Sequence, residues 1–319
     1  MQCTGLLTVI VLTKDEERNL PDLLDSIMPL QAIVWVIDSG STDGTVAIAK
    51  AAGCEVAEHP FENYAAQRNW AFEHLPITTP WTLCLDADER LTLALVQELR
   101  SILSRPDDIP YDGFMLRKRT IFMGRWLKHG GQYPSWHLRL FRTGKGRCED
   151  RLYDQHFLVD GAIGRLNSDY IDVLTDSLTK WVDRHNHWAT LESLEMEDIN
   201  SDRQQVIPRL GGSPIELKRF LRYRMYHRAP KFARAFLLFL FDYFLRLGFL
   251  DGRPGLVFHV LQRFWFRFLV DAKLYERSIS GSAGTRGKRP GTQVSAERSL
   301  TSSGRSGLSA PGTRRRWPR

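Results

Sequence analysis

Cysteine is scarce: Cys3, Cys54, Cys84 and Cys148 are four in 319 residues, far apart and with no C-x-x-C pair. That spacing argues against a disulfide framework and against a zinc knuckle, so reduced thiols are the simpler expectation. A long apolar run is also missing. The most apolar stretch, residues 236–241, is soon interrupted by Asp242, Arg246 and Asp251, too early to span a bilayer. No positively charged segment precedes residues 6–12, which run straight into Lys14 and read as a strand rather than a signal peptide. Net positive charge is missing from the fold as well. The net charge is +7, but residues 278–319 hold nine basic residues and one acid, leaving 35 basic against 36 acidic in residues 1–277. The basic character therefore belongs to a tail that is rich in Gly, Ser, Thr and Arg, poor in apolar residues, and expected to be disordered. Nucleic acid is not an expected partner, since such a tail would serve equally to hold anionic lipid.

What is present is alternation. Residues 6–12 are apolar and rich in β-branched side chains, as suits a central parallel strand covered on both faces. A helix is expected over 20–28, a strand over 32–37, a helix over 46–52 stopped by Gly53, a short strand over 54–57, a helix over 63–74 and a strand over 81–85. This is the pattern of an α/β domain with a mostly parallel sheet, whose ligands gather at the strand C-terminal ends. Polar loops stand at three of those ends, residues 13–18, 38–43 and 86–90. Beyond them come a helix over 93–103, a strand over 113–119, and a Gly-broken region, 122–141, holding Trp126, His129, Tyr133, Trp136 and His137, where a sugar ring would stack or a surface hairpin would lie. Residues 157–160 and 163–166 read as a closing hairpin. Residues 174–196 read as a helix, in which His185 and His187 form a weak metal candidate. Aromatic helices near 236–241 and 258–273, with Arg263, Arg267 and Lys273 at their edges, suit either a membrane interface or a hairpin packed on the domain.

The chemistry concentrates at Asp86-Ala87-Asp88, an acidic pair closing an apolar strand. Two carboxylates at this spacing suit a divalent cation that keeps sites open for phosphate oxygens. Alone the pattern is weak. It gains weight from the loops Thr13–Asn19 (Thr-Lys-Asp-Glu-Glu-Arg-Asn) and Asp38–Thr45 (Asp-Ser-Gly-Ser-Thr-Asp-Gly-Thr), which end the earlier strands.

In that order and spacing the three segments resemble the family 2 glycosyltransferases of GT-A fold, a Rossmann-like mostly parallel sheet flanked by helices. The resemblance is to bacterial lipopolysaccharide-core glucosyltransferases and related polysaccharide enzymes. Gln67-Arg68-Asn69-Trp70-Ala71, and the C-terminal segments Gly248 to Gly255 and Phe268 to Glu276, extend it over about residues 5–277. The expected organisation is a catalytic domain at 5–170, a helical extension at 171–277 that suits a membrane interface or packs on the domain, and the disordered basic tail at 278–319. The resemblance implies Mg²⁺ or Mn²⁺ at Asp88, and a nucleotide-sugar site drawn from Thr13, Asp15, Glu17, Asp38, Ser39, Gly40, Asp43, Arg68 and Asp86. In it Asp38 would meet uracil or ribose, and Asp86 the ribose or donor sugar. Asp15 stands where the subgroup usually has Asn, and Ser39 where the wider family often has a second Asp.

An inverting transfer needs a carboxylate base opposite the leaving group. Asp150 and Asp154 are the candidates, with Glu149 third, while Arg139 and Arg142 would pair with phosphate or an anionic acceptor. The expected partners are a UDP-hexose donor and a lipopolysaccharide, lipid-linked or surface-polysaccharide acceptor, with an anionic membrane as a further surface. The expected place is cytoplasmic, on the inner face of the plasma membrane. Competing readings are a degenerate sugar-nucleotide-binding scaffold and a sugar nucleotidyltransferase. The intact carboxylates speak against the first, and the absence of glycine from residues 13–18 speaks against the second.

Overall fold

A computed structural model describes residues 5–105, 108–174, 177–197, 211, 214–221, 226 and 228–285. The chain divides into two units, Met1–Ser278 and Ile279–Arg319. The expected disordered tail lies outside the described residues from 286 onward. At its start, however, the last helix continues to Thr285, past the boundary expected at 278.

The first unit is the α/β domain that the alternation calls for. Its order begins β1 (Leu7–Thr13), α1 (Leu20–Ile27), β2 (Ile33–Asp38), α2 (Thr45–Ala51), β3 (Glu55–Glu58), α3 (Tyr64–His74) and β4 (Trp81–Asp86). It continues with β5 (Glu89–Leu91), α4 (Leu93–Leu103), β6 (Gly113–Phe122), β7 (Arg125–Trp126), β8 (Ser135–Arg142), β9 (Gly146–Cys148), β10 (Phe157–Val159) and β11 (Ile163–Val173). The described helices that follow are α5 (Leu178–Glu197), α6 (Pro214–Leu221), α7 (Ala233–Leu240), α8 (Gly252–Phe258) and α9 (Phe266–Thr285).

One sheet runs β3-β2-β1-β4-β8-β6-β11-β5, with β7 paired to β6. The strands β3, β2, β1 and β4 are mutually parallel, while β8 lies antiparallel between β4 and β6. Successive residues of the central strands point to opposite faces, and both faces are covered. Val9, Val11, Leu83 and Leu85 meet Leu20, Leu23, Leu95 and Leu99 on one side. Ile10, Ile37 and Cys84 meet Ala65, Ala71 and Phe141 on the other. Register sets the functional edge: Thr13 pairs with Asp38, and Leu12 with Asp86, so the C-terminal ends of β2, β1 and β4 form one row.

Four expectations change. Region 122–141 is not irregular throughout, because Ser135–Arg142 is a strand in the middle of the sheet. Residues 157–166 are no hairpin: β10 pairs with β9, and β11 pairs with β6 and β5. The boundary expected at 170/171 falls inside β11. Finally, His185 is a core residue and not half of a metal site. Its ring stacks on Trp181 at 3.4 Å and its Nδ1 lies 2.8 Å from the Trp181 carbonyl. Burial pushes it down to about 4, so it sits neutral in that stack.

Buried ion pairs join the helices of the C-terminal extension to one another, while the Arg219–Glu149 and Asp251–His129 pairs join it to the domain. Arg267 reaches Glu192 at 2.6 Å, Arg263 reaches Asp242 at 3.0 Å, and Arg234 binds Asp271 within the Phe268 to Glu276 segment. Arg263 and Arg267 therefore turn inward and do not edge a membrane-facing helix.

Candidate active site

Helix α3 distributes three consecutive polar side chains, because successive residues on a helix point about 100° apart. Asn63 starts the helix by accepting from the Ala66 N–H at 2.8 Å. Gln67, fully buried, donates to Ser39 Oγ at 3.1 Å and meets His59 Nδ1 at 2.7 Å. Arg68 Nη2 donates to Asp86 Oδ1 at 2.8 Å. Asn69 bonds both the N–H and the carbonyl of Cys148, at 2.8 and 3.1 Å. One short segment thus ties the loop after β2, the acidic pair after β4 and the strand that enters the second acidic cluster.

The loops after β1 and β2 are laced to each other. Asp15 Oδ1 accepts from the Thr42 N–H at 2.7 Å, and Glu17 Oε2 from the Gly44 N–H at 2.9 Å. Asp43 accepts from Thr45 and from the Glu17 N–H, at the start of α2. Asp38 departs from its expected role. It is 1% exposed, and its four acceptor sites are filled by the Thr13 and Ser41 hydroxyls and by the Gly40 and Ser41 N–H groups. As folded, this carboxylate shapes its own loop and leaves no lone pair for uracil or ribose. Gly40, at φ +81°, supplies the left-handed turn that aims those N–H groups at it.

Around Asp86-Ala87-Asp88 the charges are almost balanced. Asp86 is gripped by Arg68 and, at 2.9 Å, by Arg139. Burial alone would raise Asp86, but Arg139 and then Arg68 outweigh it and hold the carboxyl well below the usual range. Glu89, 2% exposed, accepts from Arg139 and from the Asp86 N–H at 2.9 Å, and burial pushes it up to about 7. Asp172, on β11, is paired with Lys118 at 2.6 Å. Arg139, Lys118 and Arg68 therefore serve three carboxylates, and the fourth, Asp88, has no cation among the described residues. Burial first, then Asp172, Asp86, Glu89 and Glu16, push Asp88 well above the ordinary value of 3.8. Among the described residues no three His, Cys, Asp or Glu side chains converge into a self-sufficient metal site. A half-buried carboxylate ringed by like charge is nonetheless the donor that a cation fits, provided the ligand brings further oxygens.

The second acidic cluster forms the loop between β9 and β10. Both of its ends lie against the arginines that hold Asp86: Asn69 fixes Cys148, and the Phe157 ring sits 5.1 Å from the Arg68 guanidinium and 6.0 Å from that of Arg139. Glu149 is withdrawn as a base. It is fully buried and clasped by Arg219 through two bonds of 2.6 Å, and it accepts from the His156 N–H at 2.9 Å. Its work is to close the loop. Asp150 is exposed, and Asp154 sits half-buried at φ +55°. Arg139 is likewise not open to phosphate, and Arg142 lies over Trp81 at 4.8 Å and donates to the Ile109 carbonyl at 3.1 Å. Lys118 and Asp172 carry no local sequence signal, because the sheet register alone brings them to Asp88.

Residues 8–163 match the family model described as Glycosyl transferase family 2. Over 282 residues the chain is 28% identical to the lipopolysaccharide core biosynthesis glycosyltransferase LpsC of Rhizobium meliloti (strain 1021), covering 85% of this chain and 92% of the relative. Over 292 residues it is 26% identical to an uncharacterized glycosyltransferase of Rickettsia bellii (strain RML369-C), covering 91% and 93%. Among solved structures, S. aureus TarS 1–349 is similar with a TM-score of 0.43 and 14% identity, covering 87% of this chain and 92% of that one.

Proposed function

The chain carries a family 2 glycosyltransferase domain and is a glycosyltransferase; on that premise we propose that it transfers a hexose, such as glucose, from a UDP-sugar to a lipopolysaccharide, lipid-linked or other surface-polysaccharide acceptor, with inversion at the anomeric carbon. The observation that carries this reading is the uncompensated Asp88, set beside a doubly paired Asp86 at the C-terminal edge of the parallel strands. Asp88 would hold Mg²⁺ or Mn²⁺, whose chemistry there is to neutralise the leaving diphosphate. Gly40, Ser41 and Asp15 lie on the laced loops that would border the nucleotide. The acceptor oxygen attacks the anomeric carbon, the bond from that carbon to the diphosphate breaks with its electron pair leaving on UDP, and the acceptor proton passes to Asp150 or Asp154.

A donor screen that reads nucleoside diphosphate release, with and without Mn²⁺, tests this directly. Release should require acceptor and Mn²⁺. One of Asp150→Asn and Asp154→Asn should lower kcat by about 10²- to 10⁴-fold, the range of a general base, while the other should not. No turnover with any donor despite nucleotide binding would point to a scaffold, and pyrophosphate release from a nucleoside triphosphate to a nucleotidyltransferase.

We also propose that the extension rests on the membrane surface. Among the described residues no helix is long and apolar enough to cross a membrane. Yet Phe236, Leu237, Phe241, Phe244, Leu245, Leu247, Phe249 and Leu250 are all exposed within fifteen residues, Leu245 by 76%, with Lys231 and Arg253 exposed nearby. An apolar surface flanked by cations suits an anionic bilayer interface, where a lipid-linked acceptor would be met. Sedimentation with phosphatidylglycerol vesicles should carry the protein down, and Leu245→Asp/Phe249→Asp should release it. Equal sedimentation of this variant would remove the surface from membrane binding.

A further inference from the structure

The aromatic region before β8 and the Gly248 to Gly255 segment meet at a cleft of about 370 Å³ lined by Arg125, Trp126, Lys128, His129 and Asp251. Asp251 is the lining acid, and it is spent: 2% exposed, it accepts from the His129 N–H at 2.9 Å and from His129 Nδ1 at 2.7 Å. That pair fixes the imidazole with Nε2 turned away from the carboxylate. Arg125 and Lys128 are exposed and meet no carboxylate among the described residues, in contrast to the paired cations around Asp86. The Lys128 ammonium stands 4.4 Å, and the Arg119 guanidinium 4.7 Å, from the Trp126 ring centroid. A half-buried indole with cations already at its ring, beside Arg125 and Lys128 that meet no carboxylate among the described residues, offers an apolar edge to a sugar and charge to an anion it carries.

The cleft is also placed to serve the reaction. The Asp88 carbonyl accepts from the Val173 N–H at 3.0 Å, Val173 pairs with Ile121, and Ile121 pairs with Trp126. Three backbone steps at the ~4.8 Å strand spacing put Trp126 roughly 14 Å from Asp88, short enough for one oligosaccharide to touch both regions.

We infer that this cleft is an acceptor subsite for a negatively charged sugar, one bearing a phosphate or a carboxylate, with Trp126 beside the sugar and Arg125 and Lys128 on the anion. The inference rests on the glycosyltransferase reading for its role, and not for its binding chemistry.

The test uses the full chain labelled with 5-fluorotryptophan, the Trp126 resonance being assigned by Trp126→Phe. With UDP and Mn²⁺ present, glucose 6-phosphate or glucuronate should shift that resonance saturably, while glucose at equal concentration should not. Arg125→Ala/Lys128→Ala, at two exposed positions away from the core, should weaken the apparent affinity at least tenfold. An equal response to glucose would overturn the anionic part, and an equal response to inorganic phosphate the sugar part. Unchanged affinity in the double variant, or competition with UDP, would overturn the location. Failure of UDP to bind at all would sink the donor reading and leave the Trp126 response to decide the subsite by itself.

Discussion

Asp88→Asn should abolish Mn²⁺-dependent turnover while leaving the fold at least as stable as before. The two halves of that expectation share one cause. Asp88 is a half-buried carboxylate set among Asp172, Asp86, Glu89 and Glu16, and its pKa is raised well above 3.8. A carboxylate whose folded value exceeds its unfolded value costs stability at neutral pH, and the cost disappears as pH falls below the unfolded value. Asparagine keeps the shape and removes the charge, so the melting temperature should hold or rise. The cation that the charge would attract loses its protein anchor. If that charge supplies several kcal/mol to the departing diphosphate, kcat/KM falls about a thousandfold or more. Wild-type protein should gain thermal stability when UDP and Mn²⁺ are added together, and the variant should gain none. Normal Mn²⁺-dependent UDP affinity in Asp88→Asn would remove Asp88 from the site.

The sequence made half of this arrangement legible. Asp86 and Asp88 are visible because a parallel strand buried on both faces writes itself as a continuous apolar run, and the run stops at them. The β-branched residues of β1 and the spacing of Leu20, Leu23 and Ile27 on α1 are legible for the same reason: the period of the apolar side chains is the period of the element. Asp38 shows the limit. Its position at the end of a strand is readable, but four bonds from Thr13, Gly40 and Ser41 turn it into a loop organiser, and no pattern announces that. Lys118 and Asp172 meet diagonally across the parallel β6 and β11, Lys118 standing opposite Tyr170 and Asp172 opposite Thr120. Arg139 reads as a cation for phosphate in a Gly-broken region that holds Trp136 and His137, yet β8 is inserted between β4 and β6 and that arginine is buried against Asp86 and Glu89. Buried ion pairs between distant elements leave no local signature, so the acidic motif was visible and the pairing of Arg68 and Arg139 with it was not.

Arg139→Ala is the second change expected to have a large effect, and it acts on stability. The guanidinium is 8% exposed and bonds Asp86 at 2.9 Å and Glu89 as well. Asp86 would keep Arg68, whereas Glu89, 2% exposed, would keep just the Asp86 N–H. Removing one partner of a buried pair costs about 3–5 kcal/mol, mostly because the other charge is left unpaired. For a domain of this size that lowers the melting temperature by roughly 10 °C. Two measurements separate this cause from lost packing. Glu89→Gln in the Arg139→Ala background removes the stranded charge, so it should recover about half the loss, and the recovery should exceed anything Glu89→Gln does alone. Lowering the pH should act like that second substitution. Burial already pushes Glu89 up to about 7 with Arg139 in place, and without the arginine it rises further. A carboxyl with a raised folded value stops costing stability once it is protonated, so the deficit of Arg139→Ala should shrink from pH 8 to about pH 5.5. A deficit that stays constant over that range and ignores Glu89→Gln would mean that Arg139 holds the site by its bulk, and that the balance of three cations against four carboxylates is not what leaves Asp88 open to a metal.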